Sequence, residues 1–394
     1  MRKQADIAQV LKAINQVITM KSSAVPLHEP LLGGNEWKYV KECLDSGWIS
    51  SAGRYVMELE ERIREFTGVK HAIAVNSGTA ALHAALLAAG VSGNDEVLLP
   101  ALTFVATANA IQYCGAVPHF VDVEERSLGV DPHKLRAYLQ DIAVFSQDRW
   151  INKNTGRRLK ALVVMHTFGH PADMEALIAL CEAYSLELIE DAAQALGSYY
   201  KGQHVGGLGR ISAISFNGNK IVTTGGGGAV LTNDESLALW VRHVTTTAKL
   251  PHPWAYEHDQ LGYNYRMPNL NAALGCAQLE QLPDFIARKR KLAHAYKAAF
   301  STVLGVKLYT EAGYARSNYW LNALILQEAD RGVRDEILKQ THAQGLMTRP
   351  CWNLLHKLRV YTNSPRMDLS ISEQLEQRII NLPSSVSLVA GERA

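Results

Sequence analysis

The chain predicts an α/β protein, a mostly parallel and buried sheet followed by a smaller α+β unit. Three observations carry this. Between about Val69 and Asn233, short β-rich runs alternate with helical stretches, the signature of crossover units. After Pro268 the pattern changes to helix, strand, helix and an extended piece. The length, 394 residues, suits one large α/β unit with an appendage.

In chain order, Ile7, Val10, Leu11, Ile14, Val17 and Ile18 recur every three or four residues and put one apolar stripe on a short helix before Pro26. That helix docks on its own domain or contacts another subunit. The strand runs are HAIAV (71–75), VLLP (97–100), VPHFV (117–121), LKALVVM (159–165), LELIE (186–190), ISAISF (211–216) and AVLTN (229–233). Beyond them come a helical segment with Ala272, Leu274, Leu279 and Leu282, the strand-like YWLNALIL (319–326), a helix near 330–344 and an extended piece near Met347. The expected division is a helical extension over 1–25, a large domain over 26–265 and a small C-terminal domain over 266–394.

Lys plus Arg total 40 against 38 for Asp plus Glu, a net charge of +2 that favours neither nucleic acid nor an anionic membrane as partner. Five scattered cysteines without a C-x-x-C pair suggest no disulfide framework and no zinc ribbon. With no apolar run of about 18 residues and no signal core, the expectation is a soluble cytoplasmic protein.

Ligands of parallel sheets sit beyond the carboxyl ends of the strands, so the residues following each run come first. Asn76-Ser77-Gly78-Thr79 opens a helix, which makes it an ordinary N-cap or a phosphate cradle of free N–H groups. Asp191 follows LELIE and either caps a helix or meets a ligand, and its neighbour Glu190 points to the opposite face. Ser215 ends a strand, and Lys220 lies between that strand and four glycines, Gly225 to Gly228. A surface lysine is the default, yet a lysine beside Ile221 and Val222 is open to desolvation, which lowers its pKa and makes the amine nucleophilic. Phosphate cradle, strand-end carboxylate and lysine together are what pyridoxal 5'-phosphate requires.

The strings NSGTAALHAAL, PALTFVATANAI, EDAAQALGSYYKG, SFNGNK, GGGGAVLTND and GYNYRM, followed by NAALG and AQL, resemble the DegT/DnrJ/EryC1/StrS family of sugar aminotransferases over about residues 26 to 385. The resemblance implies an aspartate-aminotransferase type I fold, pyridoxal phosphate as cofactor and a homodimer with composite active sites. It makes Lys220 the imine-forming lysine, Asp191 the partner of the pyridine nitrogen and Gln194 the neighbour of the phenolic oxygen. Gly78, Thr79 and Ser215 become phosphate ligands, Phe104 the ring that stacks on the pyridine, and Asn264 the residue reaching the phosphate of the other subunit. Asn217 departs from the His found there in many members, so no acid–base role is expected at that position. The retained Lys220 argues against the dehydratase branch.

The strings PLHEPLLGGNEWKYVKECLDSGWISSAGRYV, HTFGHPADM, TTTAKLPHPW, GYARSNYWLNALIL and RPCWNLLH resemble the subgroup acting on nucleotide-linked 4-keto-6-deoxy-hexosamines of bacillosamine, legionaminic-acid and perosamine pathways. The implied reaction takes an amino group from L-glutamate, releases 2-oxoglutarate and makes a 4-amino sugar nucleotide for surface glycans, with UDP favoured over GDP and dTDP. Trp48, Arg349, Trp352 and His356, and behind them Lys249, His252 and Trp254, are the candidate substrate contacts. A catalytically idle sugar-nucleotide sensor and amination at C3 are the alternatives. No metal is expected: His166 and His170 are four apart, but TFG between them and Pro171 after them make a poor helix. Val205 to Gly209 only loosely resembles a dinucleotide loop.

Overall fold

The computed structural model describes residues 5–18 and 24–389. Its large sheet has seven strands: β1 (His71–Val75), β2 (Glu96–Pro100), β3 (Val117–Val121), β4 (Leu159–Met165), β5 (Glu187–Asp191), β6 (Ile211–Ser215) and β7 (Gly228–Thr232). In space they run β1-β7-β6-β5-β4-β2-β3. All neighbours are parallel except β7, which is antiparallel to both β1 and β6. Every expected run is a strand within one or two residues of its sequence bounds. Only YWLNALIL is markedly shorter in the structure, because Tyr319 takes a left-handed φ of 49° and the strand begins at Asn322.

Both faces of the sheet are covered, which is why its strands are apolar almost throughout. Helix α2 (Gly78–Ala88) packs on one face through Leu82, Ala85 and Leu86. The other face carries Leu59, Ile63, Leu177 and Leu180 from the helices Arg54–Thr67 and Met174–Ala183. A hairpin of Ala143–Ser146 and Arg149–Asn152, for which the sequence shows no strand signal, is pinned by Trp150 against Tyr184 with ring centroids 4.9 Å apart.

Beyond the large sheet, the 32-residue helix Asn269–Phe300 leads to a four-stranded sheet of Val306–Leu308, Asn322–Leu326, Ile379–Leu382 and Arg349–Pro350, in that spatial order. The first half of this helix lies against the helices Glu36–Ser46 and Arg54–Thr67, where Asn269 accepts from the Tyr55 amide and the Cys276 carbonyl accepts from Arg62. Its second half presents Leu292, Tyr296 and Phe300 to the small sheet and to α1 (Ile7–Val17). We propose that the two units divide near residue 266, just before this helix. Val10 and Ile14 of α1 are fully buried in that same cluster, and Asp6 caps the helix by accepting from the Ala8 and Gln9 amides. Of the two expectations for the N-terminal stripe, docking on its own chain is the one these residues fulfil. No helix among the described residues is long and apolar enough to cross a membrane.

Glu190 shows what a buried carboxylate does when it serves the fold. Its Oε1 accepts from the amides of Leu208 (2.8 Å) and Gly209 (2.6 Å), and its Oε2 accepts from Gly206 (2.7 Å). His166 Nε2 lies 2.9 Å from the same Oε2, while His166 Nδ1 accepts from the Ala172 amide, so Nε2 carries the proton and donates. The glycine-rich loop 205–209 is thus a cradle for a side chain of this chain. Burial pushes the Glu190 pKa up, but the bond from His166 and those from Gly209 and Gly206 outweigh it and hold the carboxyl below its ordinary range. A depressed pKa contributes stability that is present above the ordinary carboxylate value and lost as the pH falls through the folded value. Glu190→Gln is therefore expected to cost about 3 kcal/mol at pH 7, and urea titrations of the two proteins should converge as the pH falls below the carboxylate range.

Candidate active site

The strand ends that the sequence singles out meet in one cavity of about 320 Å³, lined by Gly78, Thr79, Phe104, Asp191, Gln194, Ser215 and Lys220 among others. At its floor, Ser77 caps α2 by accepting from the Ala80 amide at 3.0 Å, which leaves the N–H groups of Gly78 and Thr79 without intrahelical partners. Ser215 faces them from the end of β6. A Cβ on Gly78 would lie 2.7 Å from Ser215 Cβ and 2.9 Å from its Oγ, so a side chain there would fill the space between helix end and hydroxyl. A Cβ on Gly228 would lie 2.8 Å from the Gly78 nitrogen, so glycine at both positions lets β6, β7 and the helix end converge. Two free amides, a hydroxyl and the positive end of an 11-residue helix form a fitting seat for a phosphate.

Asp191 ends β5 with its side chain on the face opposite that of Glu190. Its Oδ2 accepts from Thr107 Oγ1 at 2.7 Å and its Oδ1 from the Ala193 amide at 3.2 Å. Burial pushes its pKa up, against the pull of Thr107, the Ala193 amide and Lys220. The carboxylate is held in place, and among the described residues no cation lies within ion-pair distance of it, so a protonated ring nitrogen in the cavity is the partner it fits.

Lys220 follows a tight turn in which its own amide donates to the Asn217 carbonyl at 2.9 Å. Burial lowers its pKa to about 8, with Asp191 opposing, in the direction that its apolar neighbours Ile221 and Val222 predict. Its Nζ lies 4.2 Å from the centroid of the Trp320 ring. Gln194 accepts the Phe168 amide on Oε1 at 2.8 Å, which fixes its carboxamide. Phe168 makes that contact with a left-handed φ of 56°, a strained conformation of the kind that clusters at functional sites. Phe104, at the N-cap of the helix Val105–Tyr113, is half exposed in the cavity mouth.

Of the four expected substrate contacts, Trp352 is in the cavity, its ring 5.2 Å from that of Phe168 and 6.3 Å from that of Phe104. The other three are not brought there. Trp48 is exposed over a separate depression beside Cys43 and Tyr55. Arg349 lies on the small sheet with its Nη1 on the Thr348 carbonyl. His356 pairs with Glu373 at 3.4 Å, its pKa lowered by burial. Lys249, His252 and Trp254 lie on one loop, the last two exposed, and Asn264 follows it, its carbonyl accepting from the Asn76 side chain. His166 is committed to Glu190, and His170 lies buried between the rings of Tyr309 and Tyr319. The residues the sequence reading leaves out are Thr107, Phe168 and Trp320. Thr107 was traceable, because it stands three residues after Phe104 on one helix face.

Capture of a phosphate, a pyridine nitrogen and an aldehyde by one cavity is the arrangement used by enzymes that move amino groups with pyridoxal phosphate. Comparison with known proteins agrees. The sequence model of the DegT/DnrJ/EryC1/StrS aminotransferase family matches residues 30–393, and the chain belongs to that family. It is 40% identical over 364 residues to GDP-perosamine synthase of Escherichia coli O157:H7, covering 92% of this chain and 94% of that protein. Among solved structures, it resembles PseC of Helicobacter pylori, an aminotransferase involved in the biosynthesis of pseudoaminic acid, with a TM-score of 0.81, 26% identity and coverage of 91% and 93% of the two chains. It also resembles DesI, solved in the presence of its TDP-sugar product, with a TM-score of 0.81, 29% identity and coverage of 94% and 88%. The protein is a pyridoxal-phosphate-dependent aminotransferase of nucleotide sugars.

Because the phosphate seat depends on close approach, Gly78→Ala should weaken pyridoxal phosphate binding about tenfold or more while the fold is kept. Fluorescence titration of the cofactor-free chain, beside its circular dichroism, measures both.

Proposed function

We propose that this enzyme transfers the amino group of L-glutamate to C4 of a nucleotide-linked 4-keto-6-deoxy sugar, releasing 2-oxoglutarate and a 4-amino sugar nucleotide for surface-glycan synthesis. The observation that carries the reading is the convergence of Lys220, Asp191 and the Gly78–Thr79–Ser215 seat on one cavity. The finer assignment is a UDP-linked hexosamine of the bacillosamine or legionaminic-acid type, supported by the sequence strings quoted above. The Escherichia coli relative, named for a GDP-linked amino sugar, favours a second reading with GDP as the nucleotide.

In this reading, the Gly78 and Thr79 amides and the Ser215 hydroxyl hold the cofactor phosphate, Phe104 covers the ring, and the Gln194 amide meets its phenolic oxygen. Bound pyridoxal phosphate supplies an aldehyde that condenses with amines and a ring that withdraws electrons from the adjoining carbon. Asp191, ionised beside the ring nitrogen, keeps that nitrogen protonated. Lys220, once freed by the donor amine, is the base that takes the proton from the donor Cα and later returns one to the sugar carbon. An amine depressed to about 8 suits this, because both protonation states are accessible near neutrality. Trp352 forms a wall for the sugar. Asn264 and the loop bearing the exposed Trp254 and Tyr256 serve the phosphate site of a second copy in a homodimer.

The purified protein should show the near-visible absorbance band of a lysine-bonded cofactor, lose it in Lys220→Ala and have it bleached by glutamate. A band bleached in the wild type but unaltered by Lys220→Ala would overturn the role of Lys220, and failure of glutamate to bleach it would favour the idle sensor. Asp191→Asn should retain the cofactor yet slow amino transfer by about 10²–10³, measured by single turnover. Mass and NMR analysis of products from a panel of UDP-, GDP- and dTDP-linked ketosugars assigns the nucleotide and the aminated carbon.

A further inference from the structure

Trp320 has no part in the chemistry assigned so far, yet it is anchored more firmly than any wall residue needs to be. It is 5% exposed, and its backbone amide donates to Asn318 Oδ1 at 2.8 Å. Asn318 is itself tied down, its Nδ2 donating to the carbonyls of Gln194 and Leu196. The indole Nε1–H donates to the carbonyl of Asn219 at 2.8 Å. Asn219 is the residue immediately before Lys220, so one edge of the ring grips the turn that carries the lysine while its face receives the lysine amine, 4.2 Å from the centroid. Ring and amine are therefore in fixed register.

We propose that Trp320 is a positioning residue for amino transfer: its indole face is the seat on which the free Lys220 ammonium rests between proton transfers. Indole is the strongest of the side-chain rings for a cation, and desolvation enlarges the attraction. The charged and titratable groups that face Lys220 are few. Asp191 attracts the ammonium from the end of β5. His28, from the N-terminal segment, has its ring 6.3 Å from that of Trp320 and is kept neutral by burial and by Lys289 and Lys220. Lys289, on the helix Asn269–Phe300, faces His28 and donates to the Ser384 carbonyl. Among the described residues, Asp191 and the ring face favour the charged form of Lys220 against its burial. When Asp191 serves the cofactor nitrogen, the ring face is what remains.

The proposal rests on Lys220 being the reacting amine, and its test separates the two ideas. In the full-length chain without cofactor, brief acylation between pH 6 and 11, followed by mass spectrometry of the peptide carrying Lys220, reports the fraction of neutral amine. Loss of the ring face removes a stabiliser of the ammonium, so Trp320→Leu should move the midpoint down from near 8 by about 0.5–1 pH unit. Trp320→Phe, which keeps a weaker ring face and lacks the N–H donor, should be displaced by clearly less than Trp320→Leu. A Leu midpoint equal to the wild type in a chain folded by circular dichroism overturns the proposal, as does a Phe variant displaced as far as Leu. If the Leu variant does not fold, Trp320→Met carries the same comparison. In the loaded enzyme, kcat should fall about tenfold in Trp320→Leu with the KM for glutamate unchanged and recover in part in Trp320→Phe. A cofactor band that survives Lys220→Ala would instead sink the functional reading, whatever the acylation midpoints show.

Discussion

Burying a carboxylate and an amine around one cavity, without letting either neutralise the other, is the constraint from which the rest of this site follows. Burial drives the Asp191 proton affinity up and the Lys220 proton affinity down, so each approaches the state in which it exchanges protons or charge with a guest. A direct ion pair between them would quench both effects. The structure avoids it by engaging Asp191 with Thr107 and the Ala193 amide, and by laying Lys220 against Trp320. The parallel sheet makes this possible, because β5 and β6 deliver their carboxyl ends side by side while covered on both faces.

The same strand shows how a one-residue step separates fold from chemistry. Glu190 and Asp191 are adjacent, acidic and buried, yet pleating sends them to opposite faces. Glu190 meets three loop amides and a histidine and is fully satisfied within the chain. Asp191 meets a hydroxyl and one amide and retains capacity for a partner. The difference lies in how many donors the fold offers each carboxylate, and that number depends on the loop 205–209 folding back on the strand.

This explains how far the sequence could be read. The strands, and the convergence of Gly78, Asp191, Ser215 and Lys220 on one cavity, were legible because their positions follow from local pattern: an apolar run, then a polar residue at its end. Thr107, Phe168 and Trp320 were not, since their roles arise from contacts across 84, 26 and 101 residues of chain. Trp48, Arg349 and His356 lie outside the cavity that Trp352 lines. Residue type and loop-like surroundings marked them as pocket walls, but direction is set by packing, and His356 is turned to Glu373 and Arg349 to the Thr348 carbonyl. The helix Asn269–Phe300 likewise read as part of one unit, although it is long enough, at about 1.5 Å per residue, to bind both.

That helix and the small sheet bear on the site more than their distance in sequence suggests. The groups that fit the cofactor all come from strand ends and turns of the large sheet, whereas the aromatic walls Trp320 and Trp352 come from segments flanking strands of the small one. The two sets are joined where Trp320 bonds to the Asn219 carbonyl and Asn318 bonds to the Gln194 and Leu196 carbonyls. Any displacement of the small sheet would thus pull on residues close in sequence to Lys220 and Asp191. In an arrangement of this kind the wall at Trp352 can change in sequence while Lys220 and Asp191 keep their places, whereas Trp320 and Asn318, which make those junctions, are tied to them.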